Sequence, residues 1–306
     1  MTRRHSLLFV GLLFLFGCGE ERKETPTKGK VTVAVAESVF PVLEQEQQKF
    51  EELYPEAHVD LHMTTSREAI ALLFNDSVSV IVSARPLNTE ERGVAKSANL
   101  TFGEFKLAID GIAVIVNNEN PVKQLRTTQI DSILNGSLTD WKKAGWNGSA
   151  SPIAVCLPDR NTGTFDSLSL YTKHDEQQMH PVKITASSSE MIHFVHEHEN
   201  AIGFVGVNWY SSQKDSVKAL ALNDPSAPDS LGIKGKYFGP HQAYMYQKFY
   251  PLIKDVYIYT RGDIYGVASG FTSFMTSSAG QKIILNSGLV PATMPVRLVE
   301  ITNRSL

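Results

Sequence analysis

Along most of this chain, segments with the hydrophobic pattern of a strand alternate with segments that have the pattern of a helix. Short apolar runs such as Val31–Val35 and Val78–Val82 have the length and β-branched content of buried strands. Between them, Phe40–Tyr54 repeats apolar residues at helical spacing, and Pro55 ends that helix. Strands that alternate with helices are typical of an α/β fold on a parallel sheet, so we predict that fold class.

One apolar stretch is too long for an ordinary strand. Phe105–Asp110 and Ile112–Val116 form an extended segment that Gly111 interrupts, and such a segment suits a crossover between two lobes. A second set of strands and helices follows it. We therefore expect a first lobe that begins at 30–111, a second lobe at 112–207, and a return to the first lobe over 208–306, with helices at its end.

The N-terminal segment has the features of a signal peptide. Arg3 and Arg4 precede the apolar run Ser6–Phe16, which is too short to span a bilayer. The run ends at Gly17-Cys18, which resembles the lipobox of bacterial lipoproteins, although a plain secretory signal with an incidental cysteine is the alternative. We expect residues 1–18 to be the signal with its lipidated Cys18, and 19–29 to be a disordered tether.

Charge and cysteine content narrow the class of protein. Removing the signal takes Arg3 and Arg4 from the 29 basic residues, which leaves 27 against 32 acidic ones and a net charge of about −5. A mildly acidic chain without a basic run is a poor nucleic-acid binder, so no nucleic-acid partner is expected. Cys156 is the one cysteine after Cys18, so no disulfide can form within the mature chain.

Three turns carry hydroxyl groups directly after predicted strands and before predicted helices. They are Ala36–Val39, Thr64–Ser66 and Asp159–Thr164. The first N–H groups of a helix lack intrahelical acceptors and favour anions, so these turns could form a shared oxyanion site. Each turn taken alone is better explained as an ordinary helix cap. Three such turns at equivalent edges of an α/β sheet favour the shared site.

With these turns, the chain resembles the substrate-binding proteins of phosphate ABC transporters over about Val31–Met294. The matching segments keep the order and spacing of that family; they are Val80–Leu87 (ending in Ser-Ala-Arg-Pro-Leu), Ala108–Asn117, Asn120–Val122, Leu125–Trp141, Ala201–Val205, Tyr250–Leu252 and Ser278–Lys282. The resemblance implies a two-lobed periplasmic-binding-protein fold of type II, with the ligand cleft between the lobes.

The resemblance also implies which residues contact phosphate. The ligand-contacting turns of the family fall on Ser38, Val39, Ser66, Thr162, Gly163 and Thr164. All three turns depart from the family pattern: Glu37-Ser38-Val39 stands for Gly-Ser-Thr, Thr64-Thr65-Ser66 stands for Gly-Ser-Gly, and Pro158 takes the place of an arginine. We expect Arg85 or Arg160 to supply the missing positive charge, with Arg67 as a further candidate. Asp159 or Glu37 could replace a carboxylate that accepts a hydrogen bond from protonated phosphate.

The function that follows from the resemblance is capture of inorganic phosphate and delivery to an ABC permease. We expect a monomer without cofactor, held by its lipid on the periplasmic side of the cell envelope. The alternatives are a receptor for another tetrahedral oxyanion (tungstate, molybdate or sulfate) and a phosphate sensor without a role in transport. An enzyme or metal site is not expected, because His193, His196 and His198 lack a fourth ligand at firm spacing.

Overall fold

The computed structural model describes residues 24–146, 151–173 and 177–296. The expected signal segment 1–18, with Cys18, lies outside the described residues, as do residues 19–23 of the expected tether. None of the helices in the described ranges has the length and apolar character needed to cross a bilayer.

A mixed sheet with helices packed on it forms the body of the protein, and it has two halves. The first half begins with three parallel strands, of which β1 is central: β1 (Lys28–Ala36), β2 (Glu56–Thr64) and β3 (Val80–Ser83). The helices that follow them are α1 (Phe40–Leu53), α2 (Ser66–Phe74) and α3 (Thr89–Ser97). Strand β4 (Phe102–Asn117) then leads out of this half.

The second half contains shorter elements. They are β5 (Gln124–Arg126), α4 (Thr127–Leu134), β6 (Ala154–Pro158), α5 (Gly163–Thr172), β7 (Lys183–Thr185), α6 (Ser188–Glu197), β8 (Ala201–Gly206), α7 (Val207–Ser211), β9 (Val217–Ala219), β10 (Ala221–Asn223) and α8 (Gln242–Tyr246). The chain returns to the first half through β11 (Ile253–Arg261), α9 (Gly266–Thr276), α10 (Ser278–Asn286) and β12 (Val290–Pro291).

The long strand β4 joins the two halves. Residues 102–111 pair antiparallel with β11, and residues 112–117 pair antiparallel with β8 and β9. The prediction that the apolar stretch around Gly111 is one extended crossover segment is confirmed. Because β11 pairs antiparallel with β3 and β4, and β4 pairs antiparallel with β8, the sheet is mixed and not the parallel sheet that the alternation of elements predicted.

Strands β9 and β10 show that the chain returns to the first half later than the sequence predicted. β9 pairs with the second part of β4, and β10 pairs with β5, so residues 217–223 stay with the second half. Their apolar residues Leu220 and Leu222 are buried in the core of that half. The chain therefore returns to the first half at the start of β11 and not at residue 208, where the sequence predicted the return.

The N-terminal residues 24–29 are packed against the body, in contrast to the disordered tether expected there. Thr25 and Lys28 exchange backbone hydrogen bonds of 2.9 and 3.1 Å. The carbonyl oxygen of Pro26 lies so close to Gly270 on α9 that any side chain at that position would collide with it. A glycine in α9 thus lets this segment lie flat on the helix.

Each half has its own hydrophobic core. The first is centred on Phe50 and Phe271, whose ring centroids are 5.3 Å apart, and the second includes the buried Trp141 and Phe204. The indole N–H of Trp141 donates to the carbonyl oxygen of Asn200 at 2.8 Å, so its one polar atom is satisfied. Two separate cores allow each half to keep its shape if the cleft between them opens.

Glu46 on α1 is the exception within the first core. Its side chain is fully buried, and neither carboxyl oxygen has a hydrogen-bond partner among the described residues. Burial raises the pKa of this carboxyl to about 8, from an ordinary value of 4.5. The folded state thus holds a proton that the unfolded chain releases, and the stability this contributes is full below about pH 4.5 and is lost as pH rises through 8.

We expect Glu46→Gln to reduce the fall in the free energy of unfolding between about pH 5 and pH 8. Linkage of one proton sets the slope of the wild type at up to about 1.4 kcal/mol per pH unit in this window. Urea unfolding at several pH values measures it, and Glu44→Gln, exposed on the same helix, controls for the loss of charge. Parallel curves for the wild type and Glu46→Gln would contradict the role assigned to this carboxyl.

Candidate ligand-binding site

The turn before α5 lies against the first half of the molecule. The backbone N–H of Arg67, in the first turn of α2, donates to the carbonyl oxygen of Asn161 at 3.4 Å. A Cβ on Gly163 would lie 2.7 Å from the carbonyl oxygen of Ala84, at the end of β3. Contacts this close bring the second and third predicted turns together, and they require glycine at position 163.

The hydroxyl of Thr162 caps α5. It accepts a hydrogen bond from the N–H of Phe165 at 3.2 Å and donates one to the carbonyl oxygen of Asp159 at 2.7 Å. The cap explains why a helix begins at Gly163, and it leaves the N–H groups of Gly163 and Thr164 without intrahelical acceptors. These backbone donors, with the buried Thr164 side chain, are therefore the groups of this turn that could bind an anion.

The predicted residues of the first half are all buried. The Ser66 hydroxyl accepts a hydrogen bond from the N–H of Ala84 at 3.2 Å. The Ser38 hydroxyl accepts one from the ammonium group of Lys254 at 3.2 Å. Val39 packs into the first core, so only its backbone could reach a ligand. The three turns thus border one cleft, and the hydroxyl groups of Ser38, Ser66 and Thr162 already have protein partners.

A buried ion pair lies beside Ser38 at the crossing point of the two halves. The ammonium group of Lys254 on β11 is 2.6 Å from a carboxylate oxygen of Asp110 on β4, and both side chains are at most 1% exposed. The other carboxylate oxygen of Asp110 accepts from the N–H of Val207 at 3.0 Å. Sequence reasoning missed Lys254, although a charge such as Asp110 inside an apolar run indicates a buried partner.

Glu37 reaches from the first turn across to the second half. Its carboxylate accepts hydrogen bonds from the N–H of Ser188 at 2.8 Å and from the Ser188 hydroxyl at 3.1 Å, at the start of α6. Its carbonyl oxygen accepts from the indole N–H of Trp209 at 3.0 Å. Burial raises the pKa of the carboxyl, against the hydrogen bonds from Ser188 and the charge of Lys254, which lower it.

A small cavity adjoins the Glu37 carboxylate. Its volume of about 10 Å³ gives room for about one water. Its polar lining comes from both halves and includes the starts of α5 and α6, in the side chains of Glu37, Thr162, Thr164, Thr185, Ser187 and Ser188. Two helix N-termini and a carboxylate therefore meet at this point of the cleft.

Arg85, one of the two predicted cations, is held by carboxylates. Its guanidinium group makes two hydrogen bonds to Glu91, of 2.8 and 2.7 Å, and its Nε lies 2.6 Å from a carboxylate oxygen of Asp166 on α5. Although burial raises the pKa of Glu91, its hydrogen bonds with Arg85 and Asn88 bring that pKa below the usual value. Because Glu91 and Asp166 belong to different halves, Arg85 links the two sides of the cleft.

The other candidate cations are exposed. Arg160 lies in the turn before α5, and Arg67 lies in the first turn of α2, on the opposite side of the cleft. The charge of Arg67 favours the ionised forms of both Glu91 and Asp166. Arg67 is therefore close to the edge of the cleft that Arg85 bridges.

The histidines on and after α6 bond locally. His193 lies 3.5 Å from a carboxylate oxygen of Glu197, and ring nitrogens of His196 and His198 lie 2.9 and 2.8 Å from the carbonyl oxygens of Ser216 and Phe194. Within residues 24–146, 151–173 and 177–296, no three His, Cys, Asp or Glu side chains are grouped as metal ligands.

Comparison with known proteins identifies the family. The model of the PBP superfamily domain matches residues 20–279. The phosphate-binding protein PstS of Staphylococcus saprophyticus is 26% identical over 267 residues, which cover 86% of this chain and 80% of that protein.

Two crystal structures have the same fold. One is a putative phosphate ABC transporter substrate-binding protein from Clostridium perfringens, with phosphate bound, which is 24% identical and has a TM-score of 0.75 over 86% of this chain and 99% of that one. The other is an ABC-type phosphate transport receptor from Vibrio cholerae, also 24% identical, with a TM-score of 0.64 over 86% of this chain and all of that one. The match over most of its length shows that this chain belongs to the PBP superfamily.

Proposed function

We propose that this protein captures inorganic phosphate between its two halves and delivers it to an ABC permease. The observation that carries the proposal is the contact of the α5 start, at Gly163, with Ala84 of the other half, whose N–H donates to the Ser66 hydroxyl. Free N–H groups at a helix start are suited to a tetrahedral anion. Relatives and a solved structure of the same fold are named for phosphate, which supports the choice of anion.

In the proposed complex, phosphate accepts hydrogen bonds from the N–H groups of Gly163 and Thr164 and from backbone and hydroxyl groups of the opposite turns. Those turns contribute Ser38, Val39 and Ser66, with Thr162 holding the α5 start in place. Arg160 stays in the proposed set as an exposed cation of the same turn. We assign Arg85 to closure of the cleft, because its two terminal nitrogens donate to Glu91 and its Nε lies 2.6 Å from the Asp166 carboxylate.

Closure is the proposed mechanism of capture. The halves are the proposed lobes, which move about the crossing strands β4 and β11, and contacts from both sides make phosphate bind the closed state better than the open one. The closed form would dock on the permease as a monomer. We also propose that Cys18 carries a lipid that holds the protein on the periplasmic side of the cell envelope, which loss of membrane association in Cys18→Ser would support.

Titration with phosphate tests the proposed function. Trp209 reports on the cleft through its hydrogen bond to Glu37, so both its fluorescence and calorimetry can follow binding. We expect one phosphate site, and weaker binding of sulfate, molybdate and tungstate in competition. Binding of another of these anions without binding of phosphate would overturn the choice of ligand in favour of the second candidate, a receptor for that anion.

A matched pair of variants locates the site. Thr164→Val removes a hydroxyl that lines the cavity and should weaken phosphate binding about tenfold, the effect of one hydrogen bond. Thr276→Val removes a hydroxyl at the end of α9 that bonds to the carbonyl oxygen of Thr272, and it should leave the affinity unchanged. Equal affinities for the two variants would place the ligand elsewhere.

A further inference from the structure

The acidic residue of the first turn occupies donors at the start of α6, beside the α5 donors of the proposed oxyanion site. We propose that Glu37 is a built-in competitor: its carboxylate closes the empty cleft, and the incoming oxyanion has to displace it. The inference rests on the proposed function and adds a residue that sets the affinity of the same site.

The contacts of Glu37 are those of a bound anion. The N–H and hydroxyl of Ser188, at 2.8 and 3.1 Å, both donate to the carboxylate. The ten-residue helix α6 begins there, with Ser187 as its cap, and its dipole favours negative charge at this end. A side chain only 8% exposed therefore holds its charge by hydrogen bonds from the opposite half of the molecule.

This carboxylate adjoins the proposed site. The cavity beside it is also lined by Thr162 and Thr164 at the start of α5, and it has room for a water but not for a phosphate ion. A phosphate seated on the α5 donors would lie against the ionised Glu37, and two anions in contact within a low-dielectric cleft repel each other. The carboxylate must leave for the dianion to bind.

Few charged groups act on Glu37. Lys254 on β11 favours the ionised carboxylate, but it is itself paired with Asp110 on β4. The titratable side chains of α6 have partners of their own: Glu190 lies 2.9 Å from the ammonium group of Lys183, and His193 pairs with Glu197. The α7 residues that contact the first turn, Asn208 and Trp209, are uncharged.

Displacement of Glu37 has two consequences. Phosphate binding is weakened by the free energy of the bonds to Ser188 that are lost, and the empty protein stays more closed than it would without them. Protonation of Glu37 removes the negative charge of the carboxylate that competes with phosphate. The weakening is therefore greatest at alkaline pH and declines as pH falls.

Phosphate titration of the full chain and of Glu37→Gln, at about pH 8 and pH 5.5, tests the inference. We expect Glu37→Gln to bind phosphate about tenfold more tightly at pH 8, the effect of losing charge-assisted hydrogen bonds, with a smaller difference at pH 5.5. Glu44→Gln, exposed on α1, changes the net charge equally and should alter the affinity less than twofold. Glu37→Ala should also bind more tightly.

X-ray scattering gives a second measurement that needs no ligand. The empty Glu37→Gln protein should have a larger radius of gyration than the empty wild type. Unchanged or weaker phosphate binding by Glu37→Gln, while the wild type binds phosphate, would overturn the inference and leave the proposed function standing. If neither protein binds phosphate, the proposed function fails and the inference falls with it.

Discussion

Replacing Lys254 by methionine is expected to lower the free energy of unfolding by about 3–5 kcal/mol, the usual effect of removing one partner of a buried ion pair. The substitution leaves the carboxylate of Asp110, which is 0% exposed, without the ammonium group that now lies 2.6 Å from it. It also removes the donor to the Ser38 hydroxyl. Urea unfolding followed by circular dichroism measures the loss.

A surface pair that joins the same two strands, β4 and β11, provides the control. Lys106 and Asp255 lie 2.7 Å apart with more than a third of each side chain exposed, so Lys106→Met should cost at most about 1 kcal/mol. The double variant Asp110→Asn, Lys254→Met should recover most of the stability, because it leaves no buried charge. Equal destabilisation by Lys254→Met and Lys106→Met would contradict the role assigned to the buried pair.

Gly163→Ala is expected to weaken phosphate binding by about 10- to 100-fold. The new methyl group would lie 2.7 Å from the carbonyl oxygen of Ala84 and 2.9 Å from its carbonyl carbon, and backbone atoms cannot move aside as a flexible side chain can. Overpacking of this kind costs about 1–3 kcal/mol, which here falls on closure of the cleft. Calorimetry gives the affinity, and scattering shows whether the protein still compacts with phosphate.

The stability of Gly163→Ala separates closure from folding. Because each half has its own core, its unfolding midpoint without ligand should remain close to that of the wild type. Gly93→Ala on α3 is the matched control, since a Cβ there meets nothing within 4 Å. Full affinity in Gly163→Ala would show that closure does not bring Gly163 and Ala84 together when phosphate binds.

Local sequence patterns were sufficient to predict the strands and helices that border the cleft. The apolar stretch around Gly111 predicted the crossover strand β4, because a long β-rich segment has few other conformations. Thr162 was expected either to cap a helix or to bind an anion, and its hydroxyl caps α5. Hydroxyl residues before a helix are thus readable from sequence, but the same residues serve both roles.

Contacts between residues far apart in the chain could not be predicted from the sequence. Arg85 was one of the arginines expected to neutralise the ligand, but Asp166, 81 residues away, lies 2.6 Å from it. Lys254 meets Asp110 only through the register of β11 on β4, which no local pattern specifies. The direction of Glu37 likewise depends on where α6 begins in the other half, so repulsion of a dianion could be foreseen but not the contact with Ser188.

The packing of Pro26 against Gly270 fixes where the chain leaves the folded body. On the proposed lipidation of Cys18, only residues 19–23 lie between the lipid and Glu24, and at about 3.5 Å per residue a chain of this length can span at most about 20 Å. So short a tether would hold the side of the protein that carries α9 towards the bilayer. Tyr265, at the start of this helix, is exposed. The protein would then keep one side turned to the membrane. It would reach its permease by diffusing along the membrane surface and not through the volume beside it.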